Sequence, residues 1–413
     1  MSPAIHDVLS APTPTLSLFP DCPEHSPNDR ATELAQLCEG PRGSSSEYVP
    51  ADCPPQEPCA QVHALPAREA ARPAATKLVG IARLAASSPR ADSRRSSPER
   101  PEYFVLPVRS ILNRCDSNRV PFEWTINPYR GCEFGCKYCY ARYTHEYMEL
   151  DAAEFEKKIF VKQGADAYLP QEIARKYSYE SAASGGMAPE HIAIGTATDP
   201  YQPAEKEYGV TRACLEELVK RDGLSISITT KSNQVLRDLD LLRRIAEKSA
   251  LFVNMTIGTT RSRLARLLEP RAPQPALRLE AVKQLREAGI STGVFASPLL
   301  PGITDREGDL ESVAEAAHEV GAQWFTSGVL FLTPSSSKVF MPFLQEKFPR
   351  LVEKYRGWYA RNTYAPEEYR KRIGERVARL RQKYGFDIRP WDEMKRPVRQ
   401  VAQLSLDLNA TGV

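Results

Sequence analysis

From residue 101 onward, short apolar runs alternate with longer stretches whose apolar positions recur every three or four residues. The runs FEWTIN (122–127), KIFVK (158–162), HIAIGTA (191–197), LSISITT (224–230), LFVNMTI (251–257), ISTGVFA (290–296) and WFTSGVL (324–330) read as strands. Helical patterns lie between most of them, at 204–222, 234–248, 276–288 and 307–320. In ALRLEAVKQLREAGI, for example, Leu277, Leu279, Val282 and Leu285 stand near helical spacing and Gly289 is a stop signal. This alternation predicts an α/β fold of parallel strands joined by right-handed crossovers, and about six such units predict a partial (βα)6 barrel. Active residues then belong at the carboxyl ends of the strands. A doubly wound open sheet is the alternative, but no Gly-rich dinucleotide fingerprint follows the first strand.

The first hundred residues break this pattern. They hold 15 of the 34 prolines and only two aromatics, Phe19 and Tyr48, too little apolar surface to offset the entropy of ordering the segment. The expected organisation is a disordered Pro/Ser-rich tail over 1–100, the barrel over 101–345, and a basic, aromatic helical extension and tail over 346–413. Charge separates the last region further. Residues 345–400 carry 16 Lys or Arg against 8 Asp or Glu, so a chain of net charge +3 has +8 there and −5 elsewhere.

Nine cysteines, an odd number without regular spacing, do not make a secreted disulfide framework, so the thiols are expected to be reduced. The N-terminus has no basic start followed by an apolar block, and no apolar run approaches the roughly 18 residues a spanning helix needs. A soluble, cytoplasmic protein without a membrane segment is expected. Cys22, Cys38, Cys53 and Cys59 read as free thiols in the tail.

Three other thiols are crowded into NPYRGCEFGCKYCYAR (127–142), directly after the first predicted barrel strand: Cys132, Cys136 and Cys139. Three soft thiolates on one short loop can bind three irons of a [4Fe-4S] cube and leave the fourth iron without a protein ligand. A zinc site would need a fourth ligand, for which His145 is available, and a cluster of unmetallated cysteines is the remaining reading.

The spacing of three residues and then two, with Tyr138 before the last cysteine, resembles the radical S-adenosylmethionine superfamily. The wider wording, NPYRGC followed by YCYAR, resembles its spore photoproduct lyase-like branch. TATDPYQPAEKEYGVTR (196–212), TTKS (229–232), LLEPRAP (267–273) and SPLLPGITD (297–305) are phrases of the same branch, in order. The resemblance covers about residues 105–345. It implies an enzyme whose open iron binds the amino and carboxylate groups of S-adenosylmethionine and whose cluster electron releases a 5′-deoxyadenosyl radical that abstracts hydrogen from substrate. It further implies a reductant such as flavodoxin or ferredoxin. By position, Lys231 pairs with the cofactor carboxylate and Thr256 also contacts the cofactor. Thr198, Asp199 and Glu205 form a polar group suited to ribose hydroxyls or to ordering the loop, and Asp199 equally suits a helix cap. Glu269 and Arg271 read as a structural ion pair.

One departure bears on substrate. The dimer-repairing lyases carry a cysteine just before a Ser-Asp or Thr-Asp pair as final hydrogen donor, whereas GTATDP has Thr196 and Ala197 there. Tyr138 and Tyr140, flanking Cys139, remain as candidates to relay hydrogen. The extension interleaves Tyr355, Trp358, Tyr359, Tyr364, Tyr369 and Tyr384 with arginines, which suits phosphates and stacked bases as well as it suits helices packed on a barrel. QLSLDL, from Gln403 to Leu408, resembles the peptide by which bacterial replication and repair proteins dock on the sliding clamp, a final edge strand or a disordered end being the other reading. A radical enzyme acting on DNA or another nucleic acid is therefore expected. Radical modification of a protein or small metabolite is the alternative, and a non-enzymatic iron–sulfur protein a third.

Overall fold

Apolar runs bounded by turns become strands wherever both faces can be covered. Ile226, Ile228, Val253 and Met255 are fully buried, as the inner strands of a parallel sheet must be. The structure, a computed structural model, describes residues 80–91, 100–117, 120–183 and 190–386. The strands are β1 (Glu102–Val105), β2 (Leu112–Arg114), β3 (Trp124–Ile126), β4 (Tyr129–Arg130), β5 (Lys158–Val161), β6 (His191–Ile194), β7 (Ser225–Thr230), β8 (Ala250–Thr256), β9 (Ser291–Phe295) and β10 (Phe325–Thr326). The helices are α1 (Gly80–Ser87), α2 (Tyr143–Glu146), α3 (Ala165–Ala183), α4 (Glu205–Tyr208), α5 (Val210–Leu218), α6 (Leu239–Lys248), α7 (Ser262–Leu268), α8 (Pro275–Glu287), α9 (Glu307–Glu319), α10 (Pro334–Lys347), α11 (Val352–Tyr359) and α12 (Glu367–Lys383).

The main sheet runs β10-β9-β8-β7-β6-β3-β2. Every pair from β3 to β10 is parallel, and β2 closes the edge antiparallel to β3. Six parallel strands with helical crossovers make the expected partial barrel. KIFVK is a strand but not a barrel strand: β5 pairs with β1 and β4 in a separate three-stranded sheet. Periodicity reveals a strand but not its neighbours, and this one belongs to the long crossover that carries the thiol loop. WFTSGVL shortens to two residues and one further bridge, Leu299 to Val329. The 204–222 pattern is two helices, because Gly209 adopts a left-handed φ of 62° between α4 and α5.

Residues 80–91 are ordered within the span that composition assigns to the tail. Ala82 and Ala85 are buried, and the Ala91 amide donates to the Tyr103 carbonyl at 2.8 Å. In the extension, Tyr355 and Tyr369 are buried, and α12 inserts Ile373, Val377 and Leu380 into the core. These rings serve packing. The Gln403–Leu408 stretch and Cys22, Cys38, Cys53 and Cys59 lie outside the described residues. Among the described residues no helix is long and apolar enough to cross a membrane.

His191, at the start of β6, is 2% exposed and lies 2.7 Å from the Ser225 hydroxyl and 2.8 Å from that of Ser227. Burial holds its pKa down, to about 3. The unfolded chain therefore takes up a proton near pH 6.5 that the folded chain refuses, and stability is lost as pH falls from about 6.5 toward 3. Denaturant titrations at pH 7 and pH 5 should differ by up to about 1.4 kcal/mol per pH unit from this group. In His191→Asn that part of the slope should vanish.

Candidate active site

The thiol loop leaves β4 through Gly131, whose φ of 83° and crowding leave no room for a side chain. A Cβ there would lie 2.7 Å from the Lys158 carbonyl and 2.8 Å from that of Phe155. Its backbone is then stitched to two separate stretches of chain, around Phe155 and around the end of α7. The Cys132 amide donates to Phe155 O at 3.1 Å, the Lys137 amide to Leu268 O at 2.9 Å, and Phe134 O accepts from the Arg271 amide at 3.2 Å. Arg142, fully buried, binds Cys136 O at 3.0 Å and Ala152 O at 2.8 Å and pairs with Glu156 at 2.5 Å. From the far side, the Ser336 hydroxyl of α10 donates to Cys139 O at 3.0 Å.

TATDPYQPAEKEY supplies the opposing clamp. Asn127 bonds Thr196 and the Ala197 amide, the latter at 2.7 Å. Thr198 Oγ1 and Gln202 Nε2 both donate to Gly131 O, at 2.7 and 3.1 Å. Gln202 accepts from the Glu133 amide at 3.0 Å, and Glu133 returns a bond from the Ala204 amide at 2.7 Å. Asp199 accepts from Thr230 Oγ1 at 2.6 Å, the Tyr201 amide at 2.9 Å and the Lys231 amide at 2.7 Å, tying the end of β6 to the end of β7. Thr198 and Asp199 are thus committed to bracing the loop. Glu205 is fully buried and holds Tyr129 at 2.5 Å, Arg237 at 2.7 Å and the Thr211 amide at 2.8 Å.

Cys132, Cys136 and Cys139 are free thiols, the first two buried. Burial raises the pKa of all three, Cys136 to about 12; Cys136 and Cys139 also raise that of Cys132, and Cys139 that of Cys136. Lys231 acts against the rise at Cys136, and Arg142 and Lys231 against that at Cys139. Such thiols stay protonated until a cation arrives to hold them as thiolates. His145 does not join them. Its ring is fully buried against Phe155 and Phe160, Nε2 lies 3.0 Å from Lys158 O, and burial lowers its pKa to about 4. Among the described residues no three His, Cys, Asp or Glu side chains are gathered around a single-ion site.

Beside the thiols lies a chain of charge. The Lys231 ammonium sits 5.9 Å from the centre of the Tyr138 ring. Tyr138 donates to Glu269, and Glu269 pairs with Arg278, which is 1% exposed and also donates to Thr256 O at 3.0 Å and Pro273 O at 2.8 Å. The ion-pair expectation for Glu269 holds with a different partner: Arg271 instead points to Glu156 O at 3.3 Å. Burial opposes the Lys231 charge, but Cys136 and Glu269 outweigh it and raise its pKa. No hydrogen-bond acceptor or carboxylate is within bonding distance of its ammonium, nor has the Thr256 hydroxyl a partner, among the described residues. A small recess adjoins Tyr138 and is walled by Gly258, Thr259, Pro298 and Leu300. Tyr140 is half-buried and donates to Thr196 O.

The site therefore brings together the three thiols, Lys231, Tyr138 and Tyr140, with Thr256 at the end of β8. Asn127, Gln202 and Glu133 have no signal in the sequence because their partners lie 69 to 71 residues away. Three thiols on one loop, with an ammonium and a hydroxyl that have no partner among the described residues, fit a cluster with an anionic organic ligand.

The sequence profile of the radical SAM superfamily matches residues 126–314. An uncharacterised protein of Mycobacterium tuberculosis strain H37Rv is 33% identical over 299 residues, covering 70% of this chain and 85% of that one. An uncharacterised protein of Methanocaldococcus jannaschii is 30% identical, over 56% of this chain and 78% of its own. In structure the chain is similar to spore photoproduct lyase complexed with dinucleoside spore photoproduct, with a TM-score of 0.51 at 18% identity over 68% of this chain and 79% of the lyase. That likeness is one of fold. Family match, fold and thiol loop agree: the chain belongs to the radical S-adenosylmethionine superfamily, whose members use a [4Fe-4S] cluster and S-adenosylmethionine.

Proposed function

We propose that Cys132, Cys136 and Cys139 hold the cluster, that Lys231 holds the S-adenosylmethionine carboxylate, and that this radical enzyme acts on nucleic acid in a lyase or repair-like reaction. The observation that carries the cofactor part is the Lys231 ammonium. It is held over Tyr138 beside Cys136, with its charge favoured and no anion of the protein within bonding distance among the described residues. When bound, the reduced cluster and its ligand supply a 5′-deoxyadenosyl radical that abstracts a hydrogen atom from substrate. The protein's own residues position and insulate. Glu269 and Arg278 fix Tyr138 under Lys231, and the Thr256 hydroxyl, at the end of the next strand, offers a further polar contact. The barrel wall keeps water out.

Thr198 and Asp199 serve this reading through the loop and strand ends they tie, rather than through ribose. Tyr140 is better placed than Tyr138 to return hydrogen, since Tyr138 is buried behind Glu269 whereas Tyr140 reaches the Thr196 position where the dimer lyases carry their donor thiol. Little direct reversal of spore photoproduct is expected without that thiol. The nucleic-acid part rests on the +8 segment over 345–400 and on the likeness to a structure that holds a dinucleoside lesion. A reductant such as flavodoxin or ferredoxin, and a tether to the sliding clamp through Gln403 to Leu408, belong to the same proposal.

Anaerobically reconstituted protein should contain about four irons per chain. Replacing Cys132, Cys136 or Cys139 with Ala should abolish the cluster, and iron lost instead from Cys214→Ala would contradict the ligand assignment. Lys231→Met should keep the iron but weaken S-adenosylmethionine binding by about 1.5 to 3 kcal/mol, the worth of a hydrogen bond to a charged group, read from the cluster's paramagnetic resonance. Release of 5′-deoxyadenosine should rise on addition of damaged DNA. Release indifferent to DNA transfers the substrate to the protein or metabolite class.

A further inference from the structure

Five aromatic rings follow one another across the carboxyl-end face of the barrel, starting at the thiol loop. Tyr140 directly follows Cys139. Its ring lies 6.3 Å from Tyr143, which lies 5.4 Å from Tyr147; in the other direction it lies 6.3 Å from Phe331, which lies 4.8 Å from Tyr364. The row is drawn from three stretches of chain: the thiol loop with α2, the segment after β10, and the segment before α12, the last two joined by a bridge between Phe331 and Tyr364. Core packing does not account for it. Phe331 is buried, but Tyr140, Tyr143 and Tyr364 are half-buried and Tyr147 is 55% exposed.

The row is nevertheless firmly mounted. Between Tyr143 and Tyr147, Glu146 receives both Ser335 and, at 2.7 Å, Lys338 from α10. Leu332 N donates to Thr363 O at 2.9 Å, and the Tyr359 hydroxyl to Leu330 O at 3.1 Å. The Tyr364 end carries an arginine, Arg370, without a carboxylate at ion-pair distance among the described residues. The Arg370 guanidinium lies 5.4 Å from the centre of the Tyr364 ring, with only its Nε engaged, by Ala365 O at 3.1 Å. The nearest acidic side chains in sequence to the Tyr364 end, Glu367 and Glu368, are exposed.

Partly exposed flat rings, flanked at one end by a guanidinium with no carboxylate at ion-pair distance among the described residues, fit a polyanion made of flat units. A duplex hides the faces of its bases, so only an unpaired strand or an extruded nucleotide can stack on such rings. We propose that the row Tyr147, Tyr143, Tyr140, Phe331 and Tyr364 is a stacking track for single-stranded nucleic acid, with Arg370 on its phosphates, and that it delivers an unpaired base to the thiol loop. This rests on the nucleic-acid reading above and makes it more specific.

The test is fluorescence anisotropy of the full-length protein with a labelled oligothymidylate of about ten nucleotides and with a duplex of the same length. The single strand should bind more tightly. Tyr147→Ala and Tyr364→Ala should each weaken it by about 5- to 150-fold, the range for loss of one stacked base, without changing the salt dependence. Tyr147→Phe and Tyr364→Trp, which keep a ring, should bind like the parent. Arg370→Gln should reduce the slope of log affinity against log salt by about 0.7. Equal binding by the alanine variants, or a parent that prefers duplex, overturns the track and leaves the nucleic-acid reading standing. Binding of neither form overturns both.

Discussion

The site depends on how the carbonyl of Gly131 is held. That oxygen accepts from Thr198 and from Gln202, so the residue at which the chain turns into the thiol loop is gripped by the loop that follows β6. The grip is reciprocal, because Gln202 also takes the Glu133 amide and Glu133 takes the Ala204 amide. In the proposed site three thiols must face one cluster while every buried amide and carbonyl around them still needs a partner. The clamp meets both demands. It also explains why the thiol motif and TATDPYQPAE occur in one chain, as two halves of a single joint.

Electrostatics take over where hydrogen bonds end. The Asp199 carboxylate is consumed by three donors at the strand ends and Glu269 is consumed by Tyr138 and Arg278. Among the described residues the Lys231 ammonium has no such partner, and it is flanked by groups that favour its charge. Within a buried site, an ammonium beside thiols is an incomplete arrangement that an anionic ligand on the cluster completes.

Periodicity made the barrel legible: six parallel strands and their crossovers follow from where apolar residues recur, and the spacing of Cys132, Cys136 and Cys139 announced the loop. What stayed hidden is long-range. β5 has the pattern of a barrel strand and pairs elsewhere, since period says nothing of neighbours. Glu269 was matched to Arg271 by nearness in sequence, yet the start of α8 turns Arg278 inward and leaves Arg271 facing Glu156. Asn127 and Thr196 meet across 69 residues with no local signal of either. The tyrosines of the extension could be read as packing or as a nucleic-acid surface, and the fold divides them: Tyr355 and Tyr369 are buried, whereas Tyr364 joins the row of rings beside the site.

If the clamp, rather than the cofactor, shapes the loop, the loop is formed before iron arrives. Hydrogen exchange of iron-free protein tests this directly, by following the amides of Cys132, Glu133 and Lys137, which donate to Phe155 O, Gln202 Oε1 and Leu268 O. Protection comparable to that of the β6 and β7 amides is the predicted result, and it should fall at Glu133 in Gln202→Ala. Exchange at the rate of an unfolded chain until the cluster is assembled would show instead that the metal builds its own site, and would contradict this account.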